Sequence, residues 1–356
     1  MKCVGFVGLG FMGRGMASNL IKGVDKLVVY DISPNNTLLF DKLLEIKENV
    51  IFANSLKEVA QETQTICLSL PDENSCDNVI FGSNGISNIW KEKDGNKLII
   101  DHGTFSQAFA KHTSNKLLTN YKNIDYIDAP VSGGPMGAKN ATLTIMTGGK
   151  KELFEQNKYI FHSIGKNVLH FGSVGSGMAA KLVNNALVSA HAQCAAEALL
   201  MSQRLGLIGE EGNNDVEKIE NLLKMLKASW GQSKVLELIG DDFIAFTNQD
   251  KLSTQQQQQE YSIENLKYFH TQAPLRNLKK DMSCVVSDLK QSFQDHPEKF
   301  ENSFPLFHQT YNCINRACDI NSNDLSESPF AALLLPIHKE SRNKENQENK
   351  SSKKLD

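Results

Sequence analysis

The chain has 356 residues, 40% of them hydrophobic and 22% charged, with a formal net charge of -3. That length exceeds one ordinary core and suggests about two domains, while so small a charge gives no electrostatic reason to expect nucleic acid or an anionic membrane as partner. Seven scattered cysteines, never paired as C-x-x-C, argue against a disulfide framework or a zinc site and for a reducing compartment. No apolar run reaches the roughly 20 residues that span a bilayer. A first strand starting near Lys2 leaves no room for a targeting segment ahead of it, so the expected location is cytoplasmic, with mitochondrial as the alternative.

Short β-rich apolar runs alternate with amphipathic stretches through the first half. Cys3–Val7, Leu27–Tyr30, Thr65–Ser69 and Leu98–Ile100 read as strands, with helical patterns near 13–22, 55–62 and 106–118 between them. That alternation predicts an α/β fold, a Rossmann-type doubly wound parallel sheet. Tyr126–Ala129, Leu143–Thr147 and Val168–Phe171 read as further, shorter strands of the same sheet. From Ser176 to about Arg204 there is no proline, and Met178, Leu182, Ala186, Ala190 and Ala198 lie near one helical stripe. This predicts one long helix, the spine of an all-helical second domain. The expected boundaries are 1–174 for the nucleotide domain, 175–337 for the helical domain, and 338–356 for a polar tail. Residues 247–272, which contain Gln255–Gln259, read as an insertion too polar to offset its ordering entropy.

The strongest local signal is Gly8-Leu9-Gly10-Phe11-Met12-Gly13, directly after the first strand and opening a helix. Gly8 permits the tight turn, Gly10 lets backbone approach a pyrophosphate, and Gly13 allows close packing, while the helix N-terminus favours the anion. Phe11 and Met12 belong to the same cofactor-binding set. Asp31 closes the second strand at the spacing of a group that bonds the adenosine ribose hydroxyls. Its carboxylate repels a 2′-phosphate, and no arginine follows to hold one, so NAD is expected over NADP.

Asp128-Ala129-Pro130-Val131-Ser132-Gly133-Gly134 ends in backbone able to turn its N–H groups toward an anion, with the Ser132 hydroxyl beside them. Taken alone, such a segment is more often just a loop, because glycine pairs commonly serve turn geometry. Further on, Lys181 and Asn185 lie one helical turn apart, near enough to touch the same small ligand. Lys181 is flanked by Met178, Ala179, Ala180, Leu182 and Val183, poor company for a solvent-facing ammonium. A buried lysine beside a cofactor can exchange a proton with an alcohol oxygen during hydride transfer. The nine histidines include no H-x-x-x-H pair in a helix-like stretch, so no metal site is expected. His102 reads as a structural histidine rather than a second proton carrier.

These segments together resemble the β-hydroxyacid dehydrogenase family, and within it the members that oxidise 3-hydroxyisobutyrate. The likeness is carried by GFVGLGFMGRGMASNL, VVYDIS, ICLSLPDENSCDNVIFGSNGI, DHGTF, DAPVSGGPMGAKNATLTIMTGG and FGSVGSGMAAKLVNNAL, and it resumes at LRNLKKDM. The resemblance implies that Lys181 is the catalytic acid/base and Asn185 a substrate-binding amide. It implies that Ser132, Gly133 and Gly134 hold the substrate carboxylate, that Leu70, Pro71 and Thr104 flank the nicotinamide, and that Lys280 closes over the cofactor. The implied reaction is NAD-dependent oxidation of a small β-hydroxy acid to its semialdehyde, in valine breakdown, by a homodimer or homotetramer. Reduction of tartronate, glyoxylate or succinic semialdehyde is the alternative chemistry, and an inactive dehydrogenase-like scaffold the alternative of another class. One departure stands out: where the family carries Asp-x-Ser-Thr, this chain reads Asp101-His102-Gly103-Thr104.

Overall fold

A computed structural model of the chain describes residues 2–44, 48–91, 95–207, 216–237, 275–293 and 303–319. The insertion at 247–272 and the tail at 338–356 lie outside them. In chain order the first elements are β1 (Cys3–Val7), α1 (Phe11–Leu20), β2 (Lys26–Tyr30), α2 (Pro34–Leu43), β3 (Val50–Phe52), α3 (Leu56–Glu62), β4 (Thr65–Leu68), α4 (Glu73–Phe81) and α5 (Ile86–Ile89). There follow β5 (Lys97–Asp101), α6 (Gln107–Asn120), β6 (Ile124–Asp128), β7 (Val131–Ser132), α7 (Gly134–Lys139), β8 (Leu143–Thr147), α8 (Lys151–Gln156), α9 (Lys158–Ile164) and β9 (Gly165–His170). Further helices among the described residues are α10 (Ser176–Arg204), α11 (Val216–Ala228), α12 (Leu275–Ser292) and α13 (Pro305–Asp319).

The main sheet has six parallel strands in the order β3-β2-β1-β4-β5-β6. The chain therefore reverses direction across the sheet between β1 and β4, and ligands of such folds bind outside the carboxyl ends at that switch point. Both faces are covered, so successive residues of one strand enter different cores. Leu98 and Ile100 of β5 face a core with Phe6, Met16, Leu20 and Phe161. Ile99 faces the other core with Val59, Ile80 and Leu117. Burying a side chain of this size is worth about 1.5–3 kcal/mol each, which fixes the strand register.

The structure corrects one expectation. Leu143–Thr147 and the strand around Val168 do not extend the main sheet; they form a separate three-stranded sheet, β7-β8-β9, with β7 antiparallel to β8. Alternating apolar residues specify a half-buried strand but not the sheet it joins. A single bridge between Asp128 and Gly148 ties the small sheet to the end of β6.

Two compact units divide at Asn184/Asn185, inside α10. In the second unit Ala192, Ala196 and Leu199 of α10 pack with Ile219 and Leu223 of α11, Leu278 and Met282 of α12, and Ile314 of α13. Among the described residues no helix is long and apolar enough to cross a membrane.

Candidate active site

The turn after β1 is sterically committed to glycine. Gly8 has φ +95°, and a Cβ there would stand 2.3 Å from the Ser69 carbonyl oxygen. At Gly13 a Cβ would stand 1.9 Å from the Gly8 carbonyl oxygen. Gly10 is different, because a Cβ there would meet no atom within 4 Å. It caps α1 without a side chain, so the first amides of α1 face an open cradle of the kind a pyrophosphate fills. Phe11 and Met12 begin the helix, Phe11 exposed with its ring under the Arg14 guanidinium. Asp31 sits beside the turn. Its carboxylate accepts from Leu9 N at 2.6 Å, from Ser33 N at 2.7 Å and from the Asn36 amide, so the acid that the sequence assigns to a ribose braces the glycine turn. The residues present therefore fit a dinucleotide.

Register brings the carboxyl ends of four strands to one edge: Val7 of β1 pairs with Leu68 of β4, Leu68 with Asp101 of β5, and Asp101 with Asp128 of β6. Leu70 and Pro71 follow β4, Thr104 follows β5, and Ser132 lies just past β6. All four thus belong to this edge. The Ser132 turn is also conformationally glycine-dependent, with φ +135° at Gly133 and +64° at Gly134. Gly103 explains itself by its neighbour: a Cβ there would lie 2.4 Å from the Phe105 ring, so the aromatic side chain occupies the space a serine needs.

Asp101 and Asp128 are both fully buried. Asp101 accepts from the Tyr126 hydroxyl at 2.7 Å, from Gly103 N at 2.9 Å and from the Cys76 thiol at 3.3 Å. Burial pushes the tyrosine and thiol well above their usual pKa values, and the nearby Asp101 charge adds to it. Asp128 instead accepts from two amides far along the chain, Gly175 N and Met178 N, each at 2.8 Å. These belong to the approach and first turn of α10, so a carboxylate of β6 pins the helix start where the macrodipole favours an anion. Burial outweighs those bonds and lifts the Asp128 pKa to about 6. Gly177 makes the close docking possible, since a Cβ there would stand 2.3 Å from the Met146 carbonyl oxygen. His102 donates from Nδ1 to the Ala129 carbonyl at 2.9 Å. That bond makes Nε2 the unprotonated nitrogen, and burial holds its pKa down at about 4.

Lys181 follows one turn after Met178 and is 8% exposed. Asn185, one turn further along α10, is equally buried and donates from Nδ2 to Asp281 Oδ2 at 2.6 Å. That bond turns the Oδ1 of Asn185 to the opposite side of its amide. Lys280 of α12 pairs with the neighbouring Asp281 carboxylate at 3.5 Å. Asn185, Lys280 and Asp281 therefore form one cluster in the helical unit, while the glycine turn, Asp31, the strand-end residues and Ser132 gather on the sheet.

Reading the sequence residue by residue passes over Asp128, Asp281 and Asn19. Asn19 of α1 donates to the Ala138 and Lys139 carbonyls at 2.8 and 2.9 Å. Beside it, a Cβ on Gly15 would stand 3.0 Å from Ala138, so the cofactor helix lies directly against α7, which follows the Ser132 turn. Asp128 did carry a signal: an aspartate that ends an apolar strand must find donors for its carboxylate.

The profile described as the NAD binding domain of 6-phosphogluconate dehydrogenase matches residues 3–172. A 2-hydroxy-3-oxopropionate reductase of Escherichia coli is 32% identical over 244 residues, covering 68% of this chain and 76% of the relative. The chain belongs to the β-hydroxyacid dehydrogenase family. The family is one of NAD-dependent oxidoreductases. Among them, the mitochondrial 3-hydroxyisobutyrate dehydrogenase of Rattus norvegicus is 37% identical over 204 residues, 57% of this chain and 58% of the rat protein. The crystal structure of a Salmonella typhimurium 3-hydroxyisobutyrate dehydrogenase superposes with a TM-score of 0.71 at 20% identity, covering 94% of this chain and 99% of that one, which establishes the shared fold.

Proposed function

We propose that this β-hydroxyacid dehydrogenase oxidises 3-hydroxyisobutyrate to methylmalonate semialdehyde, with Lys181 as general acid/base. The observation that carries the reading is the burial of Lys181 on a helix whose start is fastened by Asp128 to the carboxyl edge of the sheet. Gly8, Gly10, Phe11, Met12 and Gly13 hold the pyrophosphate, Asp31 the adenosine ribose, and Leu70, Pro71 and Thr104 the nicotinamide side, with Lys280 closing over the cofactor. NAD, when bound, supplies the hydride acceptor.

The chain's own residues then have distinct tasks. The Ser132 hydroxyl and the Gly133 and Gly134 amides hold the substrate carboxylate, which sets the hydroxyl-bearing carbon at a fixed distance from the lysine. Asn185, held at Nδ2 by Asp281, offers Oδ1 as an acceptor for the substrate hydroxyl or the Lys181 ammonium. Neutral Lys181 takes the hydroxyl proton in oxidation and returns it in reduction. A homodimer or homotetramer in a reducing compartment, working in valine breakdown, completes the reading. Reduction of 2-hydroxy-3-oxopropionate is the second reading, favoured by the length of the match to the Escherichia coli reductase.

The test is the initial rate of NADH formation with 3-hydroxyisobutyrate, serine, glycerate and 4-hydroxybutyrate, each with NAD and with NADP. A preference for 3-hydroxyisobutyrate with NAD is expected, and Lys181→Ala should lower kcat about 10²- to 10⁴-fold while still binding NADH. Preference for glycerate would favour the second reading. A Lys181→Ala protein with near wild-type turnover would remove the lysine from its role.

A further inference from the structure

Along α10, the side opposite the helical core carries a row of large exposed apolar residues. Val183 is 72% exposed, Leu187 57%, Met201 57% and Leu205, the residue that ends the last turn, 71%, and exposed Cys194 lies midway between them. Half-exposed Ala190 and Ala198 complete the row. Its steps are four, three, four, four, three and four residues, an 11-residue repeat. Eleven residues make three turns of helix, so the row runs nearly parallel to the axis. It spans about 33 Å at 1.5 Å per residue. Single exposed leucines are ordinary on protein surfaces; an unbroken row of them marks an interaction surface.

The row also reads the same in both directions from Cys194. Val183 and Leu205 lie eleven residues either side of it, Leu187 and Met201 seven, and Ala190 and Ala198 four. A two-fold axis perpendicular to the helix at Cys194 would set every position against a partner of similar size, which an isologous interface requires and an unrelated partner does not. The side chains are smallest at the centre and largest toward the ends. Alanine and cysteine near the crossing point let two axes approach to about 8 Å, and the larger residues fill the space where crossed helices diverge.

We infer that α10 pairs antiparallel with α10 of a second copy of this chain, crossing at Cys194 with Leu187 set against the second copy's Met201. This gives the homo-oligomer of the previous section a specific surface, and it stands independently of the substrate. The full chain is tested by sedimentation and by oxidative disulfide formation with copper phenanthroline, which joins thiols that already face each other, the linked peptides being identified by mass spectrometry. The wild type should sediment as a dimer or larger and yield a Cys194–Cys194 cross-link. Leu187→Glu should weaken association at least ten-fold while NADH binding is retained. Adding Met201→Lys to that chain should restore association, because each introduced acid then faces an introduced base; adding Met201→Glu should not. Absence of the Cys194–Cys194 product, association unchanged in Leu187→Glu, or equal association of the two double variants would each overturn the pairing.

Discussion

The carboxyl ends of β5 and β6 lie side by side, and each buries an aspartate, yet the two carboxylates are held by opposite kinds of donor. Asp101 draws on its own neighbourhood: a tyrosine from the adjacent strand, a thiol from α4 and the amide two residues on. Asp128 draws on backbone amides, two of them 47 and 50 residues away. The first arrangement locks a strand end into its sheet. The second fastens to that sheet the helix that carries Lys181, the proposed acid/base, so the same residue type in equivalent register supports stability in one place and, on that proposal, positioning in the other.

The largest effect should follow from removing the long-range carboxylate. Asp128→Ala leaves two buried amides without an acceptor, an expected loss of about 2–4 kcal/mol in urea unfolding, and it frees the start of α10 to shift. A misplacement of the lysine by an ångström costs on the order of 10²-fold in kcat. Unchanged kcat in a folded Asp128→Ala enzyme would break the distinction between the two acids.

The pH dependence of stability sharpens it. Asp128, with an ordinary value of 3.8 and a folded value of about 6, keeps a proton in the folded state that the unfolded chain has released. Its contribution is therefore full below about pH 4 and lost as pH rises to 6, about 3 kcal/mol in all. His102 has the opposite sign. Its value falls from 6.5 to about 4, so its contribution is full above pH 6.5 and lost as pH falls to 4, again about 3 kcal/mol. The two slopes offset each other in the wild type. In unfolding titrations Asp128→Asn should expose a stability that falls toward acid pH, and His102→Asn one that falls from pH 4 to 6.

The smallest effect belongs to Asp101. Tyr126→Phe removes one of its donors, and a loss of about 1–2 kcal/mol is expected. Unlike Asp128→Ala, it should leave kcat within two-fold, measured at saturating substrate.

How legible these features were follows from sequence distance. The glycine turn, Asp31 and the parallel strands are local patterns, each readable within about 30 residues, and the structure has them where the sequence puts them. The second sheet was not readable, because Leu143–Thr147 has the same alternation whether it joins β6 or β7. The Asp128 bonds to Gly175 and Met178, and the Asn185 bond to Asp281 across 96 residues, were beyond any local pattern. The Gly103 departure reads in sequence as a lost hydroxyl, whereas its cause is the Phe105 ring three-dimensionally beside it.

The contact between α1 and α7 bears on protein engineering. Exchanging the nucleotide preference of such an enzyme is usually imagined as editing the turn and the acid that reads the ribose. Here the rear of the same helix carries Gly15 and Asn19, whose contacts reach the backbone behind the Ser132 turn. A graft that replaces α1 whole would disturb the backbone behind the Ser132 turn, the proposed carboxylate site, along with the glycine turn, whereas one confined to residues 8–13 and 31–36 leaves that second surface in place.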